Sequence, residues 1–162
     1  AQKLNPGEIF PEITLHVVGG NEIQLPGDLD SPMTIVLFFE ALVTLLLPLL
    51  AGFEERRAAF REEGVSIIAA SVDSEEDLKA IAENAGFPVG WGVSREEADA
   101  IGAWWEPRRD HIQPSEFLIL RSGKLMMSAY SNSPVGRMDP GETLTLIKYM
   151  NQQRANAKQD SA

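Results

Sequence analysis

Cysteine is absent from this 162-residue chain, and with it go disulfides, thiolate metal sites, iron–sulfur clusters and every cysteine nucleophile. Histidine is scarce: His16 and His111 are the only two, they lie far apart, and a zinc or iron site would have to be built almost wholly from carboxylates. No metal and no cofactor are expected. Positive charge is also short, with 14 Lys and Arg against 24 Asp and Glu, a net charge of −10. Such a surface repels phosphate polyanions and anionic lipid, so neither nucleic acid nor a membrane is an expected partner. No G-x-G-x-x-G or G-x-x-x-x-G-K pattern follows a strand, and nucleotide binding has no support. The opening Ala1-Gln-Lys-Leu-Asn-Pro-Gly has no apolar leader region, which places the chain in the cytoplasm by expectation. What is present, 44% hydrophobic and 23% charged residues, is the composition of a globular protein with a sizeable core.

One domain over 1–151 and a polar tail over 152–162 that frays are the expected organisation. Residues 13–18 and 22–25 flank Gly19-Gly20-Asn21, a turn composition that admits positive φ, and predict a hairpin. Residues 34–39 form a continuous apolar run, predicting a strand buried on both faces. A helix is predicted from about Leu45 to Glu63, with Gly64 as its C-cap. A second buried strand over 65–72 leads to Asp73-Ser74, read as the cap of a helix over 75–85. A short extended piece follows at 89–93, then a capping box at Ser94–Glu97 opening a helix to about Ala103. The stretch 104–114, with two prolines and mixed charge, reads as irregular loop. Strands over 116–121 and 124–131 pair through Ser122-Gly123, and Asp139-Pro140 starts a last helix running to about Asn151. This order predicts an α/β sandwich with a mixed sheet. Met126 and Met127, read as neighbours on one strand, are expected to face opposite sides as core filler.

The span from Met33 to Phe53 holds one charged residue, Glu40, and is long enough to cross a bilayer. Its division into a β-branched and aromatic run and a leucine-rich run carrying Pro48 fits a buried strand followed by a helix better.

Several segments together resemble the peroxiredoxin-like branch of the thioredoxin fold, the alkyl hydroperoxide reductase / thiol-specific antioxidant family. They are Pro6-Gly-Glu-Ile-Phe-Pro11, Thr34-Ile-Val-Leu-Phe-Phe39, Phe53-Glu-Glu-Arg56, Gly64-Val65, Ala69-Ala-Ser-Val-Asp-Ser74, Gln113-Pro-Ser-Glu-Phe117 and Ser122-Gly-Lys124. The resemblance implies a thioredoxin-like, peroxiredoxin-type three-layer sandwich with a mixed central sheet and an N-terminal β-hairpin. It also implies a cis peptide before Pro114, facing the active site. Relatives carry Trp-Cys-Pro-x-Cys or Thr-x-x-Cys between the first core strand and its helix. Here the segment reads Glu40-Ala-Leu-Val-Thr-Leu-Leu-Leu-Pro-Leu-Leu-Ala-Gly52. Anchored from the strand, the lost cysteines fall at Thr44 and Leu47; anchored from Leu50-Ala-Gly-Phe53, at Val43 and Leu46. Neither register supplies sulfur, and a threonine hydroxyl cannot take up and release peroxide oxygen. Thiol peroxidase and disulfide reductase activities are excluded.

So many leucines at a helix start that the resemblance puts beside the peroxide pocket point to redesign of the site. Leu42, Val43, Thr44, Leu46 and Leu47 are the candidate binding residues there, for a small apolar ligand or for a second copy of the chain in a homodimer. Glu40, at the carboxyl end of the central strand, is the candidate catalytic residue: a carboxylate among apolar neighbours is desolvated and becomes a stronger base. Trp91, Trp104 or Trp105 would stack on an aromatic substrate, and the resemblance adds Pro114 to the binding residues. The alternative for Glu40 is exposure to solvent or a pair with Arg108, Arg109 or Arg137. Asp110 and His111 are adjacent and point different ways, so they do not make a catalytic couple.

Overall fold

Strand β3 (Met33–Phe39) is buried along its whole length, as its unbroken apolar sequence demands: each face of the strand meets a different core. Met33, Ile35, Leu37 and Phe39 belong to one cluster of buried side chains, and Val36 and Phe38 to the other. The structure is a computed structural model that describes residues 2–40, 46–133 and 138–160, with 46–49 and 160 by backbone only.

Around β3 a seven-stranded mixed sheet is assembled in the order β2-β1-β5-β4-β3-β8-β9. Strands β1 (Ile13–Val17) and β2 (Glu22–Leu25) form the expected N-terminal hairpin, with Gly19 and Gly20 both at positive φ in its turn. Strands β4 (Val65–Ser71) and β5 (Val89–Trp91) run parallel to β3, while β8 (Ser115–Leu120) and β9 (Leu125–Tyr130) return antiparallel on its other side. The strands predicted over 34–39, 65–72, 116–121 and 124–131 thus lie in one mixed sheet. On one face lie α1 (Leu46–Glu55), α2 (Arg57–Glu62), α3 (Glu75–Asn84) and α5 (Pro140–Asp160), which send Leu50, Phe53, Phe60, Leu78 and Ile147 into the core. The other face is covered by α4 (Arg95–Ala100), through Ala98, together with Ile101 and by Phe10 and Leu29. Helices and loops on both faces of a mixed sheet make the three-layer sandwich that the family resemblance implied.

The local signals mostly hold. Ser94 and Glu97 form the capping box, Asp139 Oδ2 accepts from the Glu142 amide at 2.9 Å, and Gly64 takes φ +79° where the chain turns from α2 into β4. A Cβ there would press on the Pro32 ring at 3.1 Å, so glycine is required twice over. Among the described residues no helix is long and apolar enough to cross a membrane.

Five expectations need correction. The helix predicted to Glu63 is two helices: the Arg56 amide bonds Phe53 O at 3.2 Å, a tighter i→i−3 turn that ends α1 and lets the Phe53 and Phe60 rings stack at 5.7 Å. The segment 104–114 is not wholly irregular; β6 (Trp105–Glu106) and β7 (His111–Ile112) pair antiparallel as a separate small sheet. Helix α5 continues to Asp160, through residues expected to fray, because Gln, Arg, Ala and Lys there are good helix formers. Met126 and Met127 both pack against the same cluster, since a register shift opposite Leu118 and Ile119 breaks the strict alternation of β9. The cis peptide is Leu25–Pro26, not Gln113–Pro114. The backbone on both sides of Pro114 is hydrogen-bonded, the Gln113 amide to Trp104 O at 2.8 Å and Pro114 O to the Ser131 amide at 3.0 Å, and the peptide between them is trans.

Candidate functional site

The parallel strands β3, β4 and β5 end side by side at Phe39, Ser71 and Trp91, so the residues that follow them share the carboxyl edge of the sheet. Open α/β sheets bind ligands at this edge. Two carboxylates stand on it. Glu40 follows β3 directly and is 5% exposed; Asp73 follows β4 by two residues, its side chain 8% exposed. The pairing of Phe39 with Ser71 is what brings residues so distant in sequence together.

Both carboxylates are met by the β6–β7 hairpin. Arg109 Nη1 donates to Glu40 Oε2 at 2.7 Å, and His111 Nε2 lies 3.2 Å from Asp73 Oδ2. The other ring nitrogen, Nδ1, faces the carbonyl oxygen of Ile112 at 3.0 Å. A carbonyl and an ionised carboxylate only accept, so the imidazolium form of His111, with both ring nitrogens protonated, satisfies both contacts at once. Burial works to lower its pKa, but the hydrogen bond to Asp73, the one to Ile112 O and the negative charges of Asp73 and Glu40 outweigh it, and the net displacement is upward. Ser71 Oγ also donates to Asp73 Oδ2, while its oxygen accepts the Asp73 amide at 3.2 Å. With His111 protonated, the edge holds two negative and two positive groups, each with a partner of opposite sign, Glu40, Asp73 and His111 from buried side chains and Arg109 from one partly exposed.

Arg109 and His111 reach this edge together because Asp110 between them adopts φ +52°, a left-handed conformation that Asp tolerates better than most residues. Asp110 Oδ1 in turn accepts from Trp105 Nε1 at 3.3 Å. At the hairpin's base Gln113 is 3% exposed, and its Oε1 is a buried side-chain acceptor without a hydrogen-bond partner among the described residues. Such an orphan costs about 1–3 kcal/mol.

The predicted site residues are only partly brought together. Glu40 is where the sequence put it, but paired with Arg109, the middle member of the three arginines considered. Leu42, Val43 and Thr44 lie outside the described residues, as does Arg137; Leu46 and Leu47 open α1. Trp91 is engaged by His16, ring centroids 5.5 Å apart, and Trp104 by Lys3, whose Nζ sits 3.8 Å from its ring centroid. Pro114 is buried in trans beside Ser115. Asp73, Ser71, His111 and Gln113 were missed. Asp73 reads as a helix cap, a role that the neighbouring Ser74 takes by accepting from the Asp77 amide at 3.2 Å. The available signal was positional: Asp73 ends the strand beside the one that Glu40 ends. Among the described residues no three His, Asp or Glu side chains converge as a metal site requires.

A separate groove of about 540 Å³ runs between α1 and α3, walled by Leu50, Ala51, Ala80, Ile81 and Ala85 with Glu54 at its rim.

The sequence profile of the AhpC/TSA family matches residues 6–128. No curated protein matches in sequence. Among solved structures, AhpC from Mycobacterium tuberculosis superposes with a TM-score of 0.78 at 17% identity, over 94% of this chain and 96% of that one. AhpC from Mycobacterium bovis gives 0.76 at 17% identity, over 94% and 96%. A cysteine-to-serine mutant of peroxiredoxin 6 from Arenicola marina gives 0.78 at 19% identity, over 90% of this chain and 72% of that one.

The upward displacement at His111 fixes a pH response. Its folded-state pKa lies above the roughly 6.5 of an unfolded histidine, so its contribution to stability is complete below about pH 6.5 and is lost as pH rises through the folded value. Urea unfolding of the parent should show stability declining over that upper window. In His111→Gln the decline should flatten, and an unchanged slope would contradict the assignment.

Proposed function

Because the chain belongs to the AhpC/TSA family and yet contains no cysteine, we propose that it is a peroxiredoxin-like scaffold without thiol peroxidase activity, redesigned around an apolar site at the start of α1 and used for binding. The missing sulfur carries this reading. Peroxide reduction requires a nucleophile that accepts oxygen and is then restored by a thiol, and no side chain between Glu40 and Gly52 can do both. The groove beside α1 supports the binding half of the proposal: it opens one helical turn beyond Leu46 and Leu47, and Leu50, Ala51, Ala80, Ile81 and Ala85 give it an apolar wall, with Glu54, Glu55 and Asn84 completing the lining, a mix of apolar surface and a few polar groups that suits a small, largely apolar ligand.

Purified protein should reduce neither hydrogen peroxide nor an organic hydroperoxide with any thiol donor; turnover above the buffer rate would contradict the proposal. Saturable binding of 1-anilinonaphthalene-8-sulfonate should be seen by fluorescence and be lost in Ala80→Glu, which places a charge in the groove from an exposed helix position. Binding that Ala80→Glu leaves intact would remove the groove as the site. Sedimentation velocity separates the two occupants, since a homodimer through this surface would dissociate in the same variant.

A second reading rests on Glu40, a buried carboxylate at the ligand edge of the sheet. In this reading it is a general base that takes a proton from an aromatic carbon acid. The Arg109 guanidinium at 2.7 Å weighs against it, because a base committed to an ion pair must give up that partner to act. A benzisoxazole ring-opening assay decides the matter. A positioned base accelerates such a step by about 10²–10⁴-fold, and Glu40→Gln should abolish the acceleration. Parent protein no faster than buffer removes this reading.

A further inference from the structure

The hairpin of β6 and β7 is not hydrogen-bonded into the main sheet; its two strands make a sheet of their own. Its base is pinned, because Ile112 is fully buried in the core cluster that also takes Trp105. Its tip, residues 107–110, is exposed. Two ion pairs run from this hairpin to the carboxyl edge of the sheet, Arg109 to Glu40 and His111 to Asp73. We propose that the hairpin is a two-point electrostatic latch closed over that edge, and that loss of the His111 charge releases it.

Both ring nitrogens of His111 face oxygens that only accept, so the protonated ring donates at both. Removal of either proton therefore leaves the Asp73 carboxylate or the Ile112 carbonyl buried against a lone pair, a repulsive contact in a site with little water to relieve it. The other ion pair, Arg109 on Glu40, involves a guanidinium side chain 39% exposed and is weakened by solvent. Other charges surround the imidazolium. Glu106 stands across the hairpin from it in register, Arg109 and Asp110 flank it in the chain, and α4, packed on β7, carries Arg95, Glu96, Glu97 and Asp99. Glu97 is committed to the Ser94 amide, Arg95 to the face of Trp105 and Asp110 to Trp105 Nε1. Histidine is the side chain whose ordinary pKa lies closest to neutrality, and that of His111 is displaced upward, so the latch is closed below the ordinary histidine range and loosens as the pH rises beyond it. Opening uncovers Glu40 and Asp73 at the place where open α/β sheets take ligands. The latch stands whether or not the proposed groove binds anything.

Amide hydrogen exchange resolved by residue tests it, from about pH 6 to about pH 8.5 with intrinsic rates divided out. Protection of residues 105–112 should fall at least about tenfold relative to β3 and β4 as the pH rises. In His111→Gln it should be low and independent of pH. Arg109→Gln, changed at the exposed tip, should lose about tenfold in hairpin protection at every pH while β3 and β4 keep theirs. Should His111→Gln fail to fold, the parent pH series and Arg109→Gln still decide. Hairpin protection that follows β3 and β4 throughout, a pH dependence that survives in His111→Gln, or no effect of Arg109→Gln would each overturn the latch.

Discussion

Glu40 and Asp73 are sealed at the carboxyl edge of the sheet, and two buried carboxylates there would not be tolerated without compensation. An isolated ionised carboxylate in such surroundings costs several kcal/mol even after relaxation. The requirement is met from one short segment: Arg109 and His111, two residues apart, supply both counter-charges, and Asp110 in a left-handed conformation turns the chain so that both can arrive. The long β8 return then follows from a fixed starting point, since Gln113 and Pro114 lead directly from the hairpin into the strand that pairs with β3. The ion pairs thus couple the ends of β3 and β4 to the segment that feeds β8.

This arrangement also explains how a family frame persists after its chemistry has gone. What holds the sandwich together is the double-faced burial of β3 and β4 and the aromatic contacts around Phe117, whose ring meets Phe10, Phe38 and Tyr130 edge-on. None of these residues belongs to the segment that replaces the cysteines. Substitutions between Glu40 and Gly52 therefore leave the sheet order intact, and likeness to AhpC and peroxiredoxin structures at 17–19% identity reports that order alone.

The sequence was most legible where one element settles its own environment. The apolar run of β3, the glycine turn of the first hairpin and the capping box of α4 are local signals, and each led to the right element. The β6–β7 hairpin was not legible, because strands of two residues are too short for a period-2 pattern and Pro107 and the mixed charges look like loop. The far half of α5 is polar, which reads as a fraying tail, yet its Gln, Ala, Arg and Lys favour helix. In the site, Glu40 stood out as a lone charge in an apolar stretch. The His111–Asp73 contact spans 38 positions and depends on strand register, which no local pattern reveals.

The central claim is that His111 is a buried cation holding Asp73, and the nitrogen-15 spectrum of its imidazole at neutral pH reads this directly. Two protonated ring nitrogens, with a through-hydrogen-bond coupling from Nε2–H to the Asp73 carboxylate lost in Asp73→Asn, are the predicted result. A neutral ring in a single tautomer, with one nitrogen bare at pH 7, would contradict the account.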